Sequence, residues 1–195
     1  MIYSFVNLVS WRYFIHLDEK EKYNIHVDSI SLSFCCWCFG VKKGRLSGVH
    51  YYDEMKDTEA ALYLVARQSD IFNNEIVLPY WTTLDSISLD EELIKRCRNF
   101  KCIILGIASP KQDVLARLLQ KECPNADIYC LGAAISSSKI DTVFDSLGLG
   151  WFSMGIRNPL RFYQKIVITI KESVKIFIYQ DIRKEFRSFL KNLNR

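Results

Sequence analysis

The sequence predicts an α/β fold: a mostly parallel sheet with helices on both faces, followed by a basic amphipathic helical tail. Three observations carry that expectation. Short apolar runs alternate with segments of helical periodicity from residue 2 to residue 134, which implies right-handed βαβ units. The chain is 195 residues long and 49% hydrophobic, enough for one well-buried domain and cramped for two. After Pro159 the apolar residues recur in steps of three and four, as on one face of a long amphipathic helix or of a pair of them.

Taken in order, "IYSFVN" (2–7) reads as a strand and residues 10–22 as a helix. "NIHVD" (24–28) is a second strand, and an apolar helix covers 29–39. "ALYLVA" (61–66) and "EIVLPY" (75–80) are further strands. "SLDEELIKRCRNF" (88–100) opens with Ser88 as N-cap and acidic residues in its first turn, so it reads as a helix. "KCIILGI" (101–107) is a strand, "PKQDVLARLLQKE" (110–122) a helix and "ADIYCLGAA" (126–134) a strand. The domain boundary falls at 156, with a helical appendage over 157–195.

Charge is unevenly placed. Residues 157–195 hold ten Lys/Arg and three Asp/Glu, so the net +4 of the chain comes from its C-terminal end on a slightly acidic body. A basic helix with Tyr163, Ile166, Ile170, Val174, Phe177, Ile178, Ile182, Phe186, Phe189, Leu190 and Leu193 on one side can lie on anionic lipid. It can equally dock on its own domain, and the two are compatible. The opening "MIYSFVNLVSWRYF" has no charged leader, and the longest apolar run (29–41) is too short to span a bilayer. Those features point to a cytoplasmic, peripheral protein.

Several chemistries are disfavoured. The seven cysteines are odd in number and form no pair of CxxC motifs, which reads as buried free thiols rather than a zinc site. His16, His26 and His50 have no metal-ligand spacing. There is no GxGxxG, no Walker loop and no nucleic-acid-binding motif, so neither a nicotinamide or ATP cofactor nor nucleic acid is expected.

The candidate site residues each have two readings. Ser109-Pro110-Lys111-Gln112 has the spacing of a capping box, with Ser109 as N-cap, Pro110 at N1 and Gln112 at N3. The same turn lies at the carboxyl end of a parallel strand, where α/β folds bind ligands, and a helix start beside Lys111 suits a phosphate. Asp28, ending its strand, is either a general base or the cap of the next helix. Arg157 and Arg161, four apart around Pro159, either clamp a diphosphate or lie on the surface.

The order of these pieces resembles the WecG/TagA/CpsF glycosyltransferases of bacterial cell-envelope polysaccharide synthesis. "FVN" (5–7) is similar to that family's opening strand ending in Asn, and "IHVDSISL" (25–32) to its Asp-Gly segment. "GRLSGVHYYDEM" (44–55) resembles its "R-x-S/T-G-x-D" segment, and "ILGIASPKQDVL" (104–115) its "V-G-x-G-x-P-K-Q-E" hallmark. "CLGAAI" (130–135) and "DSLGLGWFSMGIRNPLRF" (145–162) resemble the two blocks that follow. The chain departs from the family at Ser29, His50, Gly150 and Met154, and it lacks the glycine pair usual after the middle strand.

The resemblance implies a Rossmann-like fold and metal-independent transfer of a sugar, typically an N-acetylhexosamine, from a UDP-sugar to a sugar on a polyprenyl diphosphate. It makes Asp28 the catalytic base. It places Asn7, Ser109, Pro110, Lys111, Gln112, Gly132, Arg157 and Arg161 in the substrate-binding set, with no cofactor. Asp28 would take the acceptor hydroxyl's proton while arginines and the helix start stabilise the departing UDP. An anionic membrane would be met through the C-terminal helix, and a homo-oligomer is compatible with all of this. The alternative is an inactive homologue acting as a scaffold in an envelope-polysaccharide complex.

Overall fold

The computed structural model describes residues 1–8, 10–15, 23–55, 61–67, 72, 74–136 and 159–193. It is an α/β fold of Rossmann-like type built on six parallel strands: β1 (Ile2–Val6), β2 (Tyr23–Val27), β3 (Ala61–Val65), β4 (Glu75–Val77), β5 (Cys102–Gly106) and β6 (Asp127–Cys130). Their order across the sheet is β2-β1-β6-β5-β3-β4. The parallel register sets Ile2 beside Ile128, Cys102 beside Asp127 and also beside Ala61, and Tyr63 beside Glu75. Successive side chains of a strand face opposite ways, yet Ile103, Ile104 and Leu105 are all fully buried. The centre of the sheet is therefore covered on both faces, as parallel sheets are.

The helices are α1 (Ile30–Cys38), α2 (Gly48–Met55), α3 (Glu91–Cys97), α4 (Lys111–Glu122), α5 (Pro159–Ile178) and α6 (Gln180–Leu193), with 3-10 turns at Trp11–Phe14 and Gly132–Ser136. The chain divides into two compact units.

The first unit comprises Met1–Ser4, Glu19–Asn24 and Tyr52–Ser136. Its core joins Leu115, Ala116 and Leu119 of α4 to Leu93 and Cys97 of α3 and to Leu62, Leu64, Ile103, Leu105 and Ile128 of the strands. Gln112, Leu115, Ala116 and Leu119 are all buried, a spacing that gives one helix face.

The second unit comprises Phe5–Asp18, Ile25–Tyr51 and Ser137–Arg195. Trp11 is fully buried there, edge-on to Phe186 at 5.0 Å and 5.9 Å from Phe189. Phe39 packs on Phe186 at 5.2 Å and on Phe177 at 5.8 Å. Asn192 Nδ2 donates to the carbonyls of Phe14 and Ile15 at 2.8 and 2.9 Å.

Several element boundaries differ from expectation. Of the helix expected over 10–22, only the 3-10 turn Trp11–Phe14 falls among the described residues. The N-cap of α3 is Asp90, whose carboxylate accepts from Leu93 N at 2.7 Å, and not Ser88. The strand expected over 126–134 stops at Cys130, and the strand expected over 75–80 stops at Val77 before Pro79. Of the two arrangements that the stripe after Pro159 allows, one long helix or a pair, the chain forms the pair, broken at Tyr179. All seven cysteines are free thiols, and Cys38 alone is exposed. Burial pushes the Cys36 and Cys97 thiols up to about 12.

Candidate functional site

Gly106 ends β5, and the chain turns through Ala108, Ser109 and Pro110 into α4. The expected capping box is not formed. The N-cap of α4 is Pro110, with no side-chain cap bond, so Gln112 stands at N2. Ser109 Oγ instead donates to Asp113 Oδ2 at 2.6 Å. The second oxygen of that carboxylate accepts from Ser4 Oγ at 3.1 Å. Asp113 is buried, and burial raises its pKa despite these two donors and the nearby Arg117. The N–H groups of Gln112 and Asp113 donate to the carbonyls of Ala108 and Pro110, so this helix start offers an anion fewer amides than its sequence implies.

Lys111 is held by its neighbours. Its ammonium donates to the Trp81 carbonyl and lies 4.9 Å from the centre of the Tyr80 ring, a cation–π distance. Tyr80 itself is 88% exposed. Gln112 is the unusual residue. It is only 4% exposed, and its Oε1 has no hydrogen-bond partner. That atom faces Gly132, where an added methyl would stand 3.4 Å from it. Gly132 has φ +58°, a conformation that costs other residues free energy. With no side chain there, the backbone of the turn lies close to this buried amide. Ser109, Pro110, Lys111, Gln112 and Gly132 are thus gathered at the carboxyl ends of β5 and β6 within the first unit.

Asn7 and Asp28 belong to the second unit, at the carboxyl ends of β1 and β2. Asp28 N donates to Val6 O at 2.8 Å, which sets the two strand ends side by side. Asp28 does not cap α1; Ser29 does, accepting from Leu32 N at 3.2 Å. The Asp28 carboxylate accepts from Gly48 N at 3.1 Å, and Arg45 Nε donates to the Asp28 carbonyl at 2.8 Å. The side chain is half-buried and its carboxylate is oriented by the start of α2. Asn7 closes a turn: its Oδ1 accepts from Ser10 N at 3.2 Å. His26 stacks on Phe5 at 5.2 Å, and burial lowers its pKa, so it serves packing.

Arg157 lies outside the described residues, and Arg161 falls in the first turn of α5. Sequence reasoning missed Asp113, Tyr80 and Trp81. Asp113 carried a signal, because it follows Gln112 at the position of the acidic residue in "P-K-Q-E". Among the described residues, no three His, Cys, Asp or Glu side chains gather closely enough to hold a metal ion. Set against protein-family models, curated proteins and solved structures, the chain matches none.

Proposed function

We propose that the protein is a peripheral membrane glycosyltransferase that moves a sugar, of N-acetylhexosamine or related type, from a UDP-sugar to a polyprenyl-diphosphate-linked sugar. The observation that carries this is the unpaired, buried Oε1 of Gln112 at the start of α4. A buried acceptor without a partner costs about 1–3 kcal/mol, and a hydroxyl or amide of a bound donor would remove that cost. Asp28 is the base in this scheme. Its carboxylate takes the proton of the acceptor hydroxyl as that oxygen attacks the anomeric carbon and UDP leaves. Gly48 N orients the carboxylate. Lys111, Arg157 and Arg161 supply positive charge for the leaving diphosphate.

Membrane contact is supported by α5. Leu160, Tyr163, Ile166, Ile170, Val174 and Ile178 are exposed along it, while Thr169, Glu172 and Ser173 are partly covered. Ile176 is buried and Phe177 packs on Phe39, so α5 docks along one edge and leaves an apolar stripe outside, as a helix at a lipid interface would. Among the described residues, no helix is long and apolar enough to cross a membrane.

Binding of UDP tests the donor site. A ligand that binds only the folded state raises its apparent stability, so millimolar UDP raises the melting temperature of the wild type. Gln112→Leu removes most of that rise while leaving the unliganded protein folded. No rise with UDP in a folded wild type contradicts the proposal and favours the scaffold alternative.

A further inference from the structure

Helix α1 carries an exposed apolar stripe that neither the sheet nor the proposed chemistry uses. Ile30, Phe34 and Trp37 are 50%, 56% and 61% exposed. Their spacing of four and three puts them on one face of the helix. The opposite face, with Leu32, Cys35 and Cys36, is buried. Phe34 and Trp37 lie 6.0 Å apart, ring centre to ring centre.

The loop after α1 is folded back against this stripe. Gly40, at φ +81°, ends the helix: its N–H donates to Trp37 O at 2.9 Å, and Val41 N donates to Cys36 O at 3.0 Å. Those two bonds form a Schellman motif. Ser33 Oγ then donates to Lys43 O at 3.2 Å. The result is a shallow groove of about 430 Å³ in which Ile30, Phe34 and Trp37 adjoin Lys42, Lys43 and Arg45. Three cations border the stripe, and no Asp or Glu occurs from residue 29 to residue 52.

We infer that α1 and its following loop form a second lipid-binding element, which inserts Ile30, Phe34 and Trp37 into an anionic bilayer while Lys42 and Lys43 meet the phosphate headgroups. The chemistry selects this occupant. Trp and Phe favour the boundary between headgroup and acyl chain, and each Lys near an anionic surface adds attraction. A second copy of the chain seated on the same surface would set Lys42 and Lys43 against their own equivalents. A nine-residue helix is far too short to span the bilayer and can only lie in its surface. This goes beyond contact through α5 and stands whether or not the chain transfers sugar.

The test is binding of the full chain to equimolar phosphatidylglycerol–phosphatidylcholine vesicles, with brominated acyl chains as a depth-sensitive quencher. The wild type is expected to sediment with these vesicles and about ten-fold less with phosphatidylcholine alone. Its tryptophan fluorescence is quenched. Trp37→Phe keeps the binding and loses most of the quenching. Phe34→Glu and Trp37→Glu each weaken binding about ten-fold or more, given what one buried aromatic contributes, with unchanged circular dichroism. Lys42→Glu with Lys43→Glu does the same. The inference is overturned if the wild type does not bind anionic vesicles, or if α1 variants bind as well as the wild type while Ile170→Glu in α5 does not. In the latter case contact through α5 stands and the role of α1 falls. Self-association of the wild type that is lost in Trp37→Glu, with vesicle binding retained, also overturns it.

Discussion

Ser109 donates its hydroxyl to Asp113 Oδ2 across 2.6 Å, so the serine that the sequence offers as a helix cap instead holds a buried carboxylate. A hydrogen bond to a charged group contributes about 1.5–3 kcal/mol. Ser109→Ala is therefore expected to lower stability by about that much in urea denaturation. Ser88→Ala, which caps no helix, is expected to stay within about 0.5 kcal/mol. Equal effects of the two substitutions would contradict the assignment.

Asp113 also sets a pH dependence. Burial raises its folded-state pKa above the ordinary 3.8. Between those two values the folded state holds a proton that the unfolded chain has released. Stability therefore falls as pH rises through that window. Asp113→Asn does not titrate, so the stability difference between wild type and variant should move against the wild type as pH rises above about 4. A difference that stays flat from pH 4 to 8 would rule this out.

Gly132 occupies the left-handed region at φ +58° beside Gln112. Gly132→Ala is expected to cost about 1–2 kcal/mol from backbone strain. Gly132→Asn should cost less, because Asn tolerates that region. Thermal melts of the two variants separate backbone strain from simple crowding, which would make the larger Asn the worse of the pair.

The fate of the C-terminal stripe gives a direct contrast. Phe186 is fully buried against Trp11, whereas Val174 in α5 is 43% exposed. Phe186→Ala is expected to cost about 3–5 kcal/mol, and Val174→Ala about 0.5 kcal/mol or less. Similar small losses would mean that α6 is a detachable tail.

That contrast shows where sequence reading reached its limit. The periodicity of Tyr163 through Leu193 was legible, and so was its basic complement. Periodicity cannot say whether an apolar stripe meets a core, and here half of it does. The strands β3 and β5 and the helix α4 were legible because their apolar runs are strong and Gly106 separates β5 from α4. Helix starts were not. Ser88 and Asp90 are both good caps, and the choice went to the residue whose following turns bury Leu93 and Cys97. In the same way, Ser109 and Gln112 had capping-box spacing, but a carboxylate one turn along outcompeted the backbone for the hydroxyl. The polar residues at strand ends were legible as candidates. That Gln112 is buried with an unpaired oxygen beside Gly132, twenty residues away, is a tertiary arrangement that local spacing does not carry.

The most direct test of the proposed activity is release of UDP from a panel of UDP-sugars, with a polyprenyl-diphosphate-linked sugar presented in anionic vesicles. Release is expected with at least one donor, dependent on the acceptor. Asp28→Asn should lower it by about 10²–10⁴-fold, the usual contribution of a general base, while leaving the circular dichroism spectrum unchanged. No release from any donor by folded, vesicle-bound protein would contradict the account, and undiminished release by Asp28→Asn would remove Asp28 as the base.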